Sequence, residues 1–91
     1  MADQLESPVP DIESVREKIR AIIAKIASLD PATITDDALL VEQLGIDSLA
    51  ALEISFDVEQ QFNVTFTEDE GRQIKCLNDA VHLVTGKLAS G

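Results

Sequence analysis

Residues 44–62 read Leu44-Gly45-Ile46-Asp47-Ser48-Leu49-Ala50-Ala51-Leu52-Glu53-Ile54-Ser55-Phe56-Asp57-Val58-Glu59-Gln60-Gln61-Phe62. From Ser48 onward, Ala51, Ile54, Val58 and Phe62 recur at spacings of three and four, which predicts a strongly amphipathic helix, the most amphipathic of the chain, from Ser48 to about Phe62, with Ser55 on the edge of its core stripe. A second apolar stripe, Leu49, Leu52 and Phe56, is rotated away from the first and flanked by Glu53, Glu59 and Gln60. A helix apolar on two sides is either fully buried or has a partner, and so small a core favours a partner. Ser48 falls at or beside the helix N-cap, where unpaired amides and the positive end of the helix dipole favour an oxyanion such as a phosphate. The plain alternative is that Asp47 and Ser48 only cap the helix.

Upstream, Ile12, Val15, Ile19, Ile22 and Ile26 form an apolar stripe, widened by Ile23, on a helix expected to run from Asp11 as its cap to about Ser28. Glu13/Arg16 and Glu17/Arg20 are i,i+3 pairs on its opposite side. Leu29-Asp30-Pro31 ends that helix, and the connection to Ser48 is long for a small domain. Leu39, Leu40, Val41 and Leu44 are the expected anchors, with a single turn over Asp36 to Leu40. Downstream, Val64 and Phe66 anchor a turn, and Thr67-Glu68-Asp69-Glu70 spells a capping box that opens a short third helix ending near Gln73, with Ile74 tucked inward. A last helix, starting near Cys76 to Asn78, carries Leu77, Ala80, Val81, Val84 and Leu88 inward, with Gly86 as its expected stop. The expected fold is all-α, a small four-helix bundle of three principal helices and one short one. Residues 1–10 read as a flexible tail, 11–88 as the domain and 89–91 as a C-terminal tail.

The 91 residues carry a net charge of -10, no Trp or Tyr and only three Phe, so the core is aliphatic. Basic residues lie before and after the centre, whereas from Asp30 to Glu70 every charged residue is acidic. Such a field repels nucleic acid and anionic membrane and steers toward basic protein surfaces. No apolar run reaches the length of a membrane span, and the expected compartment is the cytoplasm, with the protein a monomer. The lone thiol of Cys76 is a small side chain rather than a reagent. Asp30, Asp36 and Asp37 lack the alternating acids, glycine and terminal Glu of a calcium loop, so no metal site is expected. Ser48 has no His and acid constellation, the lone His82 being far along the chain, so the serine reads as a substrate rather than a nucleophile and the chain as no enzyme.

Gly45-Ile46-Asp47-Ser48-Leu49, with the helical stripe that follows, resembles the prosthetic-group attachment site of the acyl carrier protein family, and the likeness extends from about Ile12 to Thr85. The resemblance implies covalent 4'-phosphopantetheine on Ser48, with Asp47 and Leu49 beside it, Gly45 leaving room for an approaching enzyme, and a docking face of Leu52, Glu53, Phe56 and Glu59. It implies two kinds of partner: a Mg²⁺-dependent phosphopantetheinyl transferase, and acyl-transferring and condensing enzymes with basic docking surfaces. The cargo would be acyl thioesters for fatty-acid, polyketide or related lipid biosynthesis, held between helices by Ile54, Val58, Phe62, Leu77 and Val81. Ala50 stands where housekeeping fatty-acid carriers usually have an acid, and Ser55 interrupts an apolar row. The alternatives are a peptidyl or aminoacyl carrier, or an acidic helical interaction module in which Ser48 stays unmodified.

Overall fold

The computed structural model describes residues 11–90, and the expected tail over 1–10 lies outside them. Four α-helices follow in order: α1 (Ile12–Ala27), α2 (Ser48–Phe62), α3 (Glu68–Gln73) and α4 (Leu77–Ser90), with a 3-10 turn at Pro31–Thr33 in the α1–α2 connection. No strand occurs among the described residues. Helix α1 packs against both α4 and α2. The core is mainly aliphatic: Val15, Ile19, Ile23, Leu77, Val81 and Val84 are fully buried, Val58 nearly so, and Phe62 is buried with them.

Helix α1 is seated slightly rotated from the expected stripe. Ile23 and Ala24 are buried, Ile22 and Ile26 only partly, and Ile12 is exposed. It is also the most one-sidedly apolar helix, in place of α2, because the two apolar faces of α2 cancel each other's amphipathicity. Asp11 occupies the N-cap of α1 without a side-chain bond; its backbone carbonyl accepts from Val15 N–H instead. Helices α1 and α2 both end in a left-handed residue that is not glycine, Ser28 (φ 58) and Asn63 (φ 56). At each end two successive amides converge on one carbonyl, Ser28 and Leu29 on Ala24, Asn63 and Val64 on Glu59. That pattern satisfies the orphan carbonyls of a helix terminus and sends the apolar residue that follows back against the core. Gly86 does not stop α4, which continues through Ser90 into the stretch expected to be a tail. Nothing there demands a left-handed residue, and a mid-helix glycine costs only about 1 kcal/mol.

The long connection is pinned by groups far apart in sequence. Ile34, Leu40 and Ile46 are buried and Leu44 partly so, whereas Leu39 and Val41, expected as anchors, are exposed. Turns fall at 36–37 and 40–44 rather than across Asp36 to Leu40. Asp36 is drawn in by two guanidinium groups, Arg16 at 3.3 Å and Arg20 at 3.1 Å. Each arginine also pairs with the glutamate one turn earlier, Glu13 or Glu17. Arg20 Nε donates to the Ile34 carbonyl at 2.9 Å, and an Arg16 N–H reaches Asn78 Oδ1 at 3.3 Å. The backbone carbonyl of Asp36 accepts from Asn78, and Leu40 N–H donates to the Lys75 carbonyl at 2.9 Å. The connection is thereby tied to α1 on one side and to the start of α4 on the other.

Helix α3 is held mainly by polar contacts. Thr67 and Glu70 complete a capping box, and Glu70 also meets Lys87 of α4 at 3.0 Å. The Thr67 backbone N–H, donated to Glu70 at 2.8 Å, holds this carboxyl below the usual glutamate range, with Lys87 adding to the effect. A carboxyl depressed on folding stabilises the native state above its unfolded value, and that contribution disappears as pH falls through the folded value. Glu70→Gln should therefore melt lower than the parent at neutral pH, with the gap closing on acidification. A pH-independent gap in thermal melts would assign the loss to packing rather than charge.

Candidate functional site

Asp47 caps α2 with its carboxylate, which accepts the Ala50 N–H at 2.9 Å. Ser48 is the first helical residue and is exposed. The Asp47 bond engages one first-turn amide, leaving those of Ser48 and Leu49 directed at solvent or at an anion. The approach to Ser48 is fixed from below: Ile46 is buried and its N–H donates to the Leu40 carbonyl at 2.9 Å. Gly45 holds φ 71, a left-handed geometry that disfavours other residues, while a Cβ there would meet nothing within 4 Å. Within this chain, conformation rather than crowding selects glycine.

Beside Ser48 lies an open groove of about 700 Å³ between α2 and the α3 side of the molecule. Leu52, Ser55 and Phe56 form one wall and Phe66, Gly71 and Arg72 the other. Leu49, Leu52 and Phe56 are 67%, 51% and 53% exposed, so the second stripe of α2 is surface and does not belong to the core. Glu53 and Leu49 are exposed but outside the groove lining. Glu59 is half-buried, and one carboxylate oxygen accepts the Phe66 N–H at 2.7 Å, so this residue also fixes the α2–α3 turn. Phe66, Glu68 and Arg72 were not picked out as site residues from sequence. The usable signal was the brevity of α3, which cannot cover the flank of α2.

A much smaller space, about 40 Å³, lies inside the bundle, lined by Ile23, Leu40, Ile54, Val58, Ile74 and Ala80 together with residues shared with the groove. It has room for a water or two and not for a chain of carbons. Of the residues expected to enclose cargo, Ile54 and Val58 line it; Phe62, Leu77 and Val81 do not, being packed into the core instead. No helix among the described residues is long and apolar enough to cross a membrane.

Residues 17–84 match the family model described as a phosphopantetheine attachment site. The chain is 40% identical over 73 residues, 80% of this chain and 84% of the relative, to a polyketide-8 synthase acyl carrier protein 2 of Streptomyces avermitilis. It is 42% identical over 71 residues, 78% of this chain and 93% of the relative, to an acyl carrier protein of Onion yellows phytoplasma. The solved structure of an acyl carrier protein from Enterococcus faecalis superposes with TM-score 0.73 at 21% identity, covering 85% of this chain and 98% of that one, a likeness of fold. This chain belongs to the acyl carrier protein family, whose attachment-site domain carries phosphopantetheine. The geometry fits such a group: an exposed hydroxyl at a helix N-terminus suits a phosphodiester, and the adjoining apolar groove can take part of an arm.

Proposed function

We propose that this chain is a carrier of acyl intermediates, not itself an enzyme, and that Ser48 is its attachment residue. The supporting observation is the placement of one exposed hydroxyl at the N-terminus of α2, beside a groove and above a floor pinned by Ile46. In the loading step, Ser48 Oγ forms the new bond to phosphorus as coenzyme A loses adenosine 3',5'-bisphosphate, and the hydroxyl proton passes to a base of the transferase. When bound, the arm supplies a terminal thiol that holds an acyl group as a thioester. The chain's own residues supply the fixed position of the attachment oxygen, amides that favour the phosphodiester charge, and a surface for enzymes to grip. Intact mass after incubation with coenzyme A, Mg²⁺ and a broad-specificity transferase tests the proposal, since an interaction module would keep its mass. One relative named for a polyketide synthase and others named simply as acyl carrier proteins support acyl over peptidyl or aminoacyl cargo.

The same reading assigns the exposed stripe of α2 to docking, with basic surfaces on the transferase and on acyl-transferring and condensing enzymes, the carrier acting as a monomer. Glu53 is solvent-facing, and charges of that kind are screened over about 8 Å at physiological salt. Glu53→Lys should slow modification chiefly by lowering the encounter rate, with the penalty shrinking as salt is added. Phe56→Ala should weaken transferase binding by about ten-fold at every salt concentration, as loss of an aromatic anchor does. It should lower the stability of the free domain by only about 1 kcal/mol, well short of the ~3–5 kcal/mol of a buried ring, because about half of the residue is already in water. Transferase kinetics across a salt series and urea melts check both, and a salt-independent Glu53→Lys defect would remove steering from the account.

A further inference from the structure

The side chain of Ser55 stands where the surface groove and the interior cavity meet. Both spaces are lined by Ala51, Ser55, Phe66 and Gly71, and Ser55 alone among these four has a polar side chain. It lies about two turns along α2 from Ser48, roughly 10 Å at 1.5 Å per residue. A chain tethered at Ser48 and lying along the groove between α2 and the α3 side would pass this hydroxyl. Ser55 is half-buried, and its hydroxyl makes no hydrogen bond among the described residues. Thr85 differs: its hydroxyl donates back to the Val81 carbonyl at 2.9 Å, as helical Ser and Thr often do.

We propose that Ser55 selects cargo, favouring acyl chains that bear a hydroxyl or keto oxygen over fully saturated ones. The inference rests on the carrier function proposed above. A saturated chain in the passage strips water from the Ser55 hydroxyl and gives nothing back, so a polar group is buried with its bond unmade. A chain with an oxygen at that depth replaces the water: a keto oxygen accepts from Ser55, and a hydroxyl can donate or accept. The retreat open to Ser55, donating to the carbonyl of Ala51 one turn earlier, limits the discrimination to about three- to ten-fold, the worth of one neutral hydrogen bond.

The test uses the parent, Ser55→Ala and Ser55→Val, each loaded at Ser48 by a transferase from hexanoyl-, 3-hydroxyhexanoyl- and 5-oxohexanoyl-coenzyme A, with complete loading verified by mass. The readout is the rate of thioester cleavage by hydroxylamine, divided by that of the same acyl-pantetheine free in solution. In the parent, at least one oxygenated cargo should be protected about three- to ten-fold better than hexanoyl, and the ratio should fall to about one in Ser55→Ala and Ser55→Val. Equal protection of all three cargoes in a normally loaded parent overturns the inference and leaves the carrier function standing. So does a preference that survives both substitutions. Failure of the parent to gain mass at all removes the carrier function and this inference together.

Discussion

Ser48→Ala is expected to gain no mass on incubation with coenzyme A, Mg²⁺ and a phosphopantetheinyl transferase, under conditions in which the parent gains one phosphopantetheine to completion. The loss is expected to be complete because neither other hydroxyl lining the groove is placed like that of Ser48: the Thr67 oxygen accepts the Glu70 N–H at 3.1 Å as a helix cap, and Ser55 is half-buried about two turns further along α2. The fold should survive almost unchanged. Asp47 still accepts the Ala50 N–H, and the Ser48 side chain contributes no hydrogen bond among the described residues. Circular dichroism and a thermal melt close to the parent's, together with the unchanged mass, are the expected pair of results. A mass gain persisting in Ser48→Ala would place the arm elsewhere and sink the assignment.

The second large effect concerns Ile23 and Ile19. Both are fully buried on α1, but only Ile23 lines the interior cavity. Truncation of either to alanine should cost about 2–5 kcal/mol. That is a large part of the total for a small domain, commonly about 5–15 kcal/mol. The two variants should diverge once loaded. A hexanoyl chain entering the enlarged cavity of Ile23→Ala can recover about 0.8 kcal/mol per buried CH₂ at best, whereas Ile19→Ala opens space that the cargo does not reach. Urea melts of unloaded and hexanoyl-loaded forms decide the matter. No recovery in either variant would mean that cargo stays outside the bundle, and equal recovery in both would mean that it does not single out the space beside Ile23.

How much of this was legible beforehand depended on the range of the interaction. Helix α2 could be read as Ser48 to Phe62 because its start is set by the Asp47 cap and its inner face by a regular stripe. Helix α3 could be read because a capping box is a four-residue signal. Both are local in sequence. For Asp36 the sequence suggests a turn and excludes a calcium loop but not its ion pairs, because its partners Arg16 and Arg20 lie on α1 and no spacing rule reaches across a stretch of chain that long. The same blindness put Leu39 and Val41 inside and overlooked Ile34 and Ile46: in an irregular segment no periodicity says which apolar residues face in. For the site, the position of Ser48 and the two faces of α2 were readable. The opposite wall of the groove depends on how α3 sits against α2, a tertiary fact.

The two left-handed helix ends at Ser28 and Asn63 have a practical corollary. For residues other than glycine that conformation carries a conformational cost, about 1–2 kcal/mol in general and less for asparagine, whose short polar side chain tolerates it. Both positions are exposed, and neither lines the groove beside Ser48. Glycine at either would keep the paired amide bonds while relieving the cost, and in a domain of this size each kcal/mol is worth roughly 4–8 °C. Heat tolerance can thus be engineered at two helix ends that stay out of the groove, leaving the surface beside Ser48 untouched, which makes the chain a convenient chassis for carriers that must work outside the cell.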